Sequence, residues 1–246
     1  MKENKYDDNI FFQKYSQMSR SQQGLAGAGE WETLRKLLPD FKDKRVLDLG
    51  CGYGWHCIYA MEHGASSVVG VDISHKMLEV AKEKTHFPQV EYKCCAIEDV
   101  EFPEESFDVI LSSLAFHYVA DYEILVKKIY RILKSGGKLV FTVEHPVFTA
   151  YGTQEWHYNE KGEILHFPVD NYYYEGKRTA VFLGEKVTKY HRTLTTYLNT
   201  LLSNGFIINH IVEPQPPENM MDIPGMQDEM RRPMMLIVSA NKKVDR

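Results

Sequence analysis

Residues Val46-Leu47-Asp48-Leu49 run straight into Gly50-Cys51-Gly52-Tyr53-Gly54, three glycines at alternate positions. Glycine lets a chain turn sharply and lets a ligand come within contact distance of backbone N–H groups. Asp72 stands 22 residues after Gly50 and ends a second apolar run, Val68-Val69-Gly70-Val71. A carboxylate at the end of the second strand of a βαβ unit can accept both ribose hydroxyl hydrogens of a nucleoside. The spacing is not the G-x-G-x-x-G of dinucleotide enzymes, because from Gly50 the third small residue would fall at Trp55. A nicotinamide dehydrogenase is therefore disfavoured. His117 and His145 each follow a further apolar run. In open α/β sheets ligands bind outside the carboxyl ends of the strands, so both imidazoles are placed to face one. Each is a candidate general base, and each is equally a candidate structural hydrogen-bonder.

The elements that must position these residues alternate. Apolar strands are expected at 45–49, 67–71, 90–94, 107–111 and 138–143, with helices at about 55–63, from Ser74, and through Leu125, Ile129, Ile132 and Leu133. Gly136-Gly137 reads as the end of that last helix. Strands alternating with helices mean βαβ units and a parallel sheet, and near-continuous apolar runs mean strands covered on both faces. Trp31, Leu34 and Leu38 sit at helical spacing before Pro39. Residues 145–192 break the alternation and hold ten of the chain's 30 aromatic side chains, so they read as an irregular aromatic insertion on the ligand side of the sheet. A substrate lid, a packed subcore and a dimer contact are all compatible with it. A helix striped by Leu194, Tyr197, Leu198 and Leu201, a strand at 206–212, a Pro- and Met-rich loop and a strand at 234–239 close the chain. That order suggests a hairpin at one sheet edge. Arg231-Arg232 reads as a solvated pair or an anion contact.

The net charge of −5 and the lack of any block of like charges disfavour nucleic acid as a partner. Cys51, Cys57, Cys94 and Cys95 have no zinc spacing, and no metal is expected. The N-terminal residues lack the apolar core of a signal peptide, and no apolar run approaches membrane-spanning length, so reduced thiols in a cytoplasm are expected.

The stretches D-L-G-C-G-Y-G, V-G-V-D-I-S, F-P-E-E-S-F-D-V-I and L-K-S-G-G, within residues 45–142, resemble class I S-adenosylmethionine-dependent methyltransferases. The likeness is to the small-molecule type found in quinone biosynthesis. The resemblance implies an α/β, Rossmann-like sheet, mostly parallel with an antiparallel C-terminal hairpin strand. One domain over residues 1–246 is expected, with a helical N-terminal cover at 1–40; residues 145–192 match nothing in the family, and their place after the fifth strand, on the ligand side, favours an aromatic substrate lid. The resemblance implies S-adenosylmethionine as cofactor and transfer of its methyl group by direct displacement to a small molecule. Position by position, Gly50, Cys51 and Gly52 match the loop that holds the methionine part. Asp72 matches the ribose-binding acid, Ile73 and Met77 the adenine face, and Ala96 and Ile97 the adenine edge. Alanine at 96 cannot accept the adenine amino group, which leaves Glu98 or Asp99 as substitutes or no contact at all. Ser112 matches the strand end beside the sulfonium. Tyr15 and Arg20 lie in the segment that covers the cofactor in similar enzymes, with Arg20 a partner for the methionine carboxylate. The Asp/Asn-Pro-Pro-aromatic motif of exocyclic-amine methyltransferases is replaced by Ser112-Ser113-Leu114-Ala115. The alternatives are a protein methyltransferase and a cofactor-binding protein that transfers nothing. The protein is expected to be a monomer or a homodimer.

Overall fold

The apolar runs fold as strands buried on both faces, and that burial explains why they lack the polar alternation of a solvated sheet. The structure is a computed structural model that describes residue 2 and residues 4–244. Three short helices, α1 (Asn9–Ser16), α2 (Ser19–Gln22) and α3 (Trp31–Arg35), precede β1 (Arg45–Leu49). Then follow α4 (Trp55–Glu62), β2 (Ser67–Asp72), α5 (His75–Lys84), β3 (Val90–Cys94), β4 (Phe107–Ser113), α6 (Tyr122–Ile132) and β5 (Leu133–Glu144). Beyond them lie α7 (Pro146–Ala150), β6 (His157–Tyr158), β7 (Ile164–His166), β8 (Gly176–Phe182), β9 (Glu185–His191), α8 (Leu194–Ser203), β10 (Phe206–Val212), α9 (Met226–Glu229) and β11 (Met235–Lys242).

One seven-stranded sheet runs in the order β10-β11-β5-β4-β1-β2-β3. Every pairing is parallel except those of β11, which runs antiparallel to both β5 and β10. The expected edge hairpin is present, with its second strand inserted between the first and β5. The chain reverses its direction of winding between β1 and β4, and the crevice there is the natural ligand site of such a sheet. Leu47, Leu49, Ile110 and Phe141 pack one face against α6 and α8 through Leu125, Ile129, Tyr197 and Leu201. Val46, Val68, Val109 and Val140 pack the other against α3, α4 and α5 through Leu34, Ala60 and Leu78.

The structure corrects four expectations. Gly136-Gly137 does not cap α6: the helix stops at Leu133, which is already extended, and both glycines lie inside β5. They form an irregularity where the pairing register with β4 slips, and a Cβ on Gly137 would sit 2.8 Å from the Lys134 carbonyl. Residues 145–192 are not irregular but hold two antiparallel hairpins, β6–β7 and β8–β9. The β8–β9 turn is Leu183-Gly184 with φ of +53° and +79°, the left-handed pair that a two-residue hairpin needs. Arg232 is not solvated: it is buried, paired with Glu229 at 2.5 Å, and its guanidinium lies 4.6–5.0 Å from the ring centres of Phe148, Trp156 and Phe167. The predicted helix over 31–38 is confined to Trp31–Arg35.

Asp48 sits mid-strand in β1 and is fully buried. One carboxyl oxygen accepts from the Cys57 thiol at 3.5 Å and the other has no partner. Burial, with no cation to offset it, pushes its carboxyl up to about 7. The folded chain therefore keeps a proton that the unfolded chain sheds above its ordinary acidic range. Stability contributed by the protonated form falls as pH rises from about 4 to about 7 and changes no further above that. Asp48→Asn is expected to be more stabilising, relative to the wild type, at pH 8 than at pH 5 by roughly 2 kcal/mol. Urea unfolding at the two pH values measures this, and an equal effect at both would contradict it.

Candidate functional site

The β1–α4 turn is built by backbone geometry that side chains rarely adopt. Gly50, Gly52 and Gly54 have φ of +80°, +52° and +74°. The N–H groups of Gly50 and Cys51 both donate to the Val71 carbonyl, at 2.8 and 2.9 Å, which ties the turn to β2. A Cβ on Gly50 would lie 2.4 Å from that of Ala115 and 3.4 Å from Ile97, so Gly50 is required by its neighbours. A Cβ on Gly52 would meet nothing within 4 Å, so the space above that backbone is open.

Asp72 joins the turn to the next one. Its Oδ2 accepts the Gly52 N–H and its Oδ1 the Ser74 N–H, both at 2.9 Å. Burial raises its pKa, and those two backbone donors oppose the rise. Ser74 caps α5 by accepting the Met77 N–H at 3.1 Å. The N-terminal segment closes over this edge. Asp7 accepts from the Ser74 hydroxyl at 2.6 Å and from the Lys76 N–H at 3.1 Å, and Asn4 donates to the Ile73 carbonyl at 3.2 Å. Cys95 N–H donates to the Asp72 carbonyl at 3.0 Å, which brings the segment leading to Ala96 and Ile97 alongside.

Gly50, Cys51, Gly52, Asp72, Ile73, Ala96 and Ile97 thus lie in adjoining turns at the winding switch, with Tyr15 packed on Tyr53 of the first. Cys51 faces inward, with its thiol pushed up by burial beside Cys57. Met77 is buried, contributing through its N–H to the α5 cap. Ser112 is buried with its hydroxyl donated to the Leu49 carbonyl at 2.8 Å, so it braces β1 against β4. Arg20 makes two bonds of 2.8 Å to the buried Glu30 carboxylate through one terminal nitrogen. Glu98 and Asp99 pair with Lys2, Asp99 at 2.5 Å.

The two histidines share one feature. Nδ1 of His117 accepts the Glu144 N–H at 3.3 Å, and Nδ1 of His145 accepts the Val147 N–H at 3.0 Å. A peptide N–H can only donate, so in each ring the proton rests on Nε2. Burial lowers the His117 pKa to about 4, with Glu144 opposing. His145 is lowered by burial too, and its Nε2 lies 2.8 Å from Glu213. His117 lies at the carboxyl end of β4 next to Tyr118, whereas His145 caps α7.

Sequence reasoning missed the polar cluster beside His117. Lys189 on β9 donates to Glu144 at 2.5 Å and to Gln154 at 2.9 Å, and Gln154 donates to the second Glu144 oxygen at 2.6 Å. Glu144 is held below the usual carboxylate range by His117 and Lys189 despite its burial. The signal was the buried, alternating face of β9, which reads only once β8–β9 is seen as a hairpin. Tyr6 and Asp7 were missed because their partners lie about 70 or more positions away.

These turns fit the nucleoside cofactor that the resemblance implies: open space beside the Gly52 backbone, with the Asp72 carboxylate bonded to its N–H. Among the described residues, no group of His, Cys, Asp and Glu could hold a metal ion. Gly52→Ala is expected to cost about 1 kcal/mol of stability from backbone strain alone, since the site has room. S-adenosylhomocysteine affinity is expected to fall at least tenfold. Calorimetry checks this, and unchanged affinity would contradict it.

Comparison with known proteins agrees with this geometry. A family model of the methyltransferase domain matches residues 47–141. A crystal structure from Listeria monocytogenes, assigned to the S-adenosylmethionine-dependent methyltransferases, is 57% identical with a TM-score of 0.86, over 89% of this chain and 99% of that one. An S-adenosylmethionine-dependent methyltransferase from Mesorhizobium loti is 41% identical with a TM-score of 0.82, over 89% and 100%. A ubiquinone biosynthesis O-methyltransferase from Coxiella burnetii is 36% identical over 112 residues, about half of either chain. The chain belongs to the S-adenosylmethionine-dependent methyltransferases.

Proposed function

We propose that the enzyme methylates a small molecule held beyond the carboxyl ends of β4 and β5, beneath residues 145–192, in the cytoplasm. The observation that carries this reading is the fixed wall that β8–β9 makes over that rim. Lys189, His191 and Arg192 are all buried. Lys189 binds Glu144 at the end of β5, and His191 binds Thr149 at 2.7 Å and the Tyr172 carbonyl at 2.8 Å. Arg192 donates to the carbonyls of Val119 and Ala120, just after β4. A chain segment of a protein or nucleic acid would have to displace this wall, and buried paired charges are costly to expose. A small molecule need not. An open cleft of about 320 Å³, lined by Val147 of α7 together with Trp156, Phe167, Val169 and Arg231, is of small-molecule size.

The donor, when bound, supplies an activated methyl group, and the chain aligns and desolvates the reactants. His117, with its proton on Nε2, offers the acceptor a hydrogen-bond donor and no basic lone pair. The acceptor class that suits this is one needing little base catalysis, a neutral amine or an already ionised thiol or hydroxyl. In this reading the N-terminal 40 residues and the 145–192 hairpins belong to one catalytic domain.

Incubating the enzyme with methyl-labelled S-adenosylmethionine and fractionated cell extract is expected to place label in the low-mass fraction. Label in protein or nucleic acid would overturn the substrate class. With the labelled acceptor in hand, His117→Asn is expected to lower kcat less than tenfold, against the hundredfold or more lost with a general base. A loss of that larger size would restore His117 as the base.

A further inference from the structure

Arg231 and Arg232 take no part in the Asp72 turns or in the buried charges of β8–β9. Both line the open cleft of about 320 Å³, together with His166 of β7. The other five lining residues are apolar, Trp156 and Phe167 the largest. Among the described residues no aspartate or glutamate lines it. The cleft therefore presents N–H donors and apolar walls, and no ionised acceptor. Val147 of α7 follows the carboxyl end of β5, and through it the cleft adjoins that end of the sheet.

Both guanidiniums are fixed in place before any ligand arrives. Arg232 is buried, its side chain 6% exposed, and its two terminal nitrogens donate to the two Glu229 oxygens at 2.5 and 3.0 Å. Its Nε is buried and has no partner. Arg231 donates from one terminal nitrogen to Asp228 at 3.0 Å and from the other to the Leu165 carbonyl at 2.7 Å. Their guanidinium carbons lie 5.1 and 5.0 Å from the centre of the Trp156 ring. A guanidinium carries five N–H donors, so each arginine keeps donors beyond these bonds. A buried donor without an acceptor costs stability, and an acceptor brought by a ligand relieves that cost.

Charge balance sets the kind of acceptor. Asp228 and Glu229 offset the two arginines, so the formal charge of the four groups sums to zero. A dianion such as a phosphate monoester would add two negative charges with no cation left over. A carboxylate adds one, and its flat pair of oxygens matches the forked edge of a guanidinium. The apolar walls require that this carboxylate be carried on an apolar body.

We infer that the methyl acceptor is a small apolar carboxylate, held in this cleft with its anionic group on Arg231 and Arg232 and its body against Trp156, Phe167 and Val169. The inference rests on the small-molecule reading above. It names the group that is recognised, not the atom that is methylated.

Calorimetry on the full chain saturated with S-adenosylhomocysteine, at one pH, tests this with three probes of one shape: 2-naphthoate, the neutral 2-naphthamide and the cationic 2-naphthylmethylammonium. The carboxylate is expected to bind about fivefold or more tighter than the amide, and the cation most weakly. Arg231 is partly exposed, and Arg231→Gln is expected to erase the preference for carboxylate over amide while S-adenosylhomocysteine affinity stays unchanged. Val169→Asp, at an exposed wall position, is expected to weaken the carboxylate more than the amide. Equal binding of the three probes, no saturable binding of any, or a carboxylate preference that survives Arg231→Gln would overturn the inference. Methyl label from the cell-extract experiment separates this failure from that of the underlying reading. Low-mass label retained on an anion exchanger is the expected result. Low-mass label that passes through leaves the small-molecule reading standing and overturns the carboxylate handle, whereas label in protein or nucleic acid overturns both.

Discussion

The Asp72 carboxylate holds two turns in register, and the rest of the site is arranged around it. One oxygen takes the N–H of Gly52 from the β1–α4 turn, the other the N–H of Ser74 from the β2–α5 turn. Two parallel strands would otherwise end in loops free to diverge. Charge-assisted bonds to backbone are among the stronger polar contacts a protein makes, and here they act where burial would otherwise favour the neutral acid. Asp7 repeats the device one layer out, binding Ser74, His75 and Lys76 and bringing the N-terminal segment over these turns.

Beyond β4 and β5 the constraint is different. A wall of buried charge, not a hydrophobic flap, covers the ends of β4 and β5. Lys189 and Glu144 compensate one another only while β8–β9 stays docked, so opening this wall would expose or strand both ions. The N-terminal segment is joined to the same wall through Phe11, which packs with Ala180 and Val187, and through Lys14, which donates to the Leu183 carbonyl. The N-terminal segment and the β8–β9 hairpin are thus packed together, and His117 and His145 spend their Nδ1 lone pairs holding backbone.

Most of the sheet was legible because it is repetitive physics. Val68, Val69, Ile110 and Leu111 had to be buried on both faces, and Ser74 carries a cap in its own side chain. The glycine turn and Asp72 were legible because few other arrangements need three alternate glycines and an acid at that distance. What the sequence hid was set by tertiary choice. Gly136-Gly137 looks like a helix stop, yet α6 ends before it and the glycines absorb a register slip instead. Leu183-Gly184 is a hairpin turn whose strands were masked by surrounding tyrosines. Arg20 had a carboxylate ten residues away in Glu30, and Arg232 had three rings from two distant segments; neither partner is visible from residue type alone.

The claim on which everything else rests is that the space beside Gly52, facing Asp72, receives the methyl donor. The most direct measurement is a crystal structure of the enzyme with S-adenosylhomocysteine. The account predicts both ribose hydroxyls on the Asp72 carboxylate and the amino acid chain over Gly50–Gly52. A product molecule bound elsewhere, with Asp72 touching only Gly52 and Ser74, would contradict it.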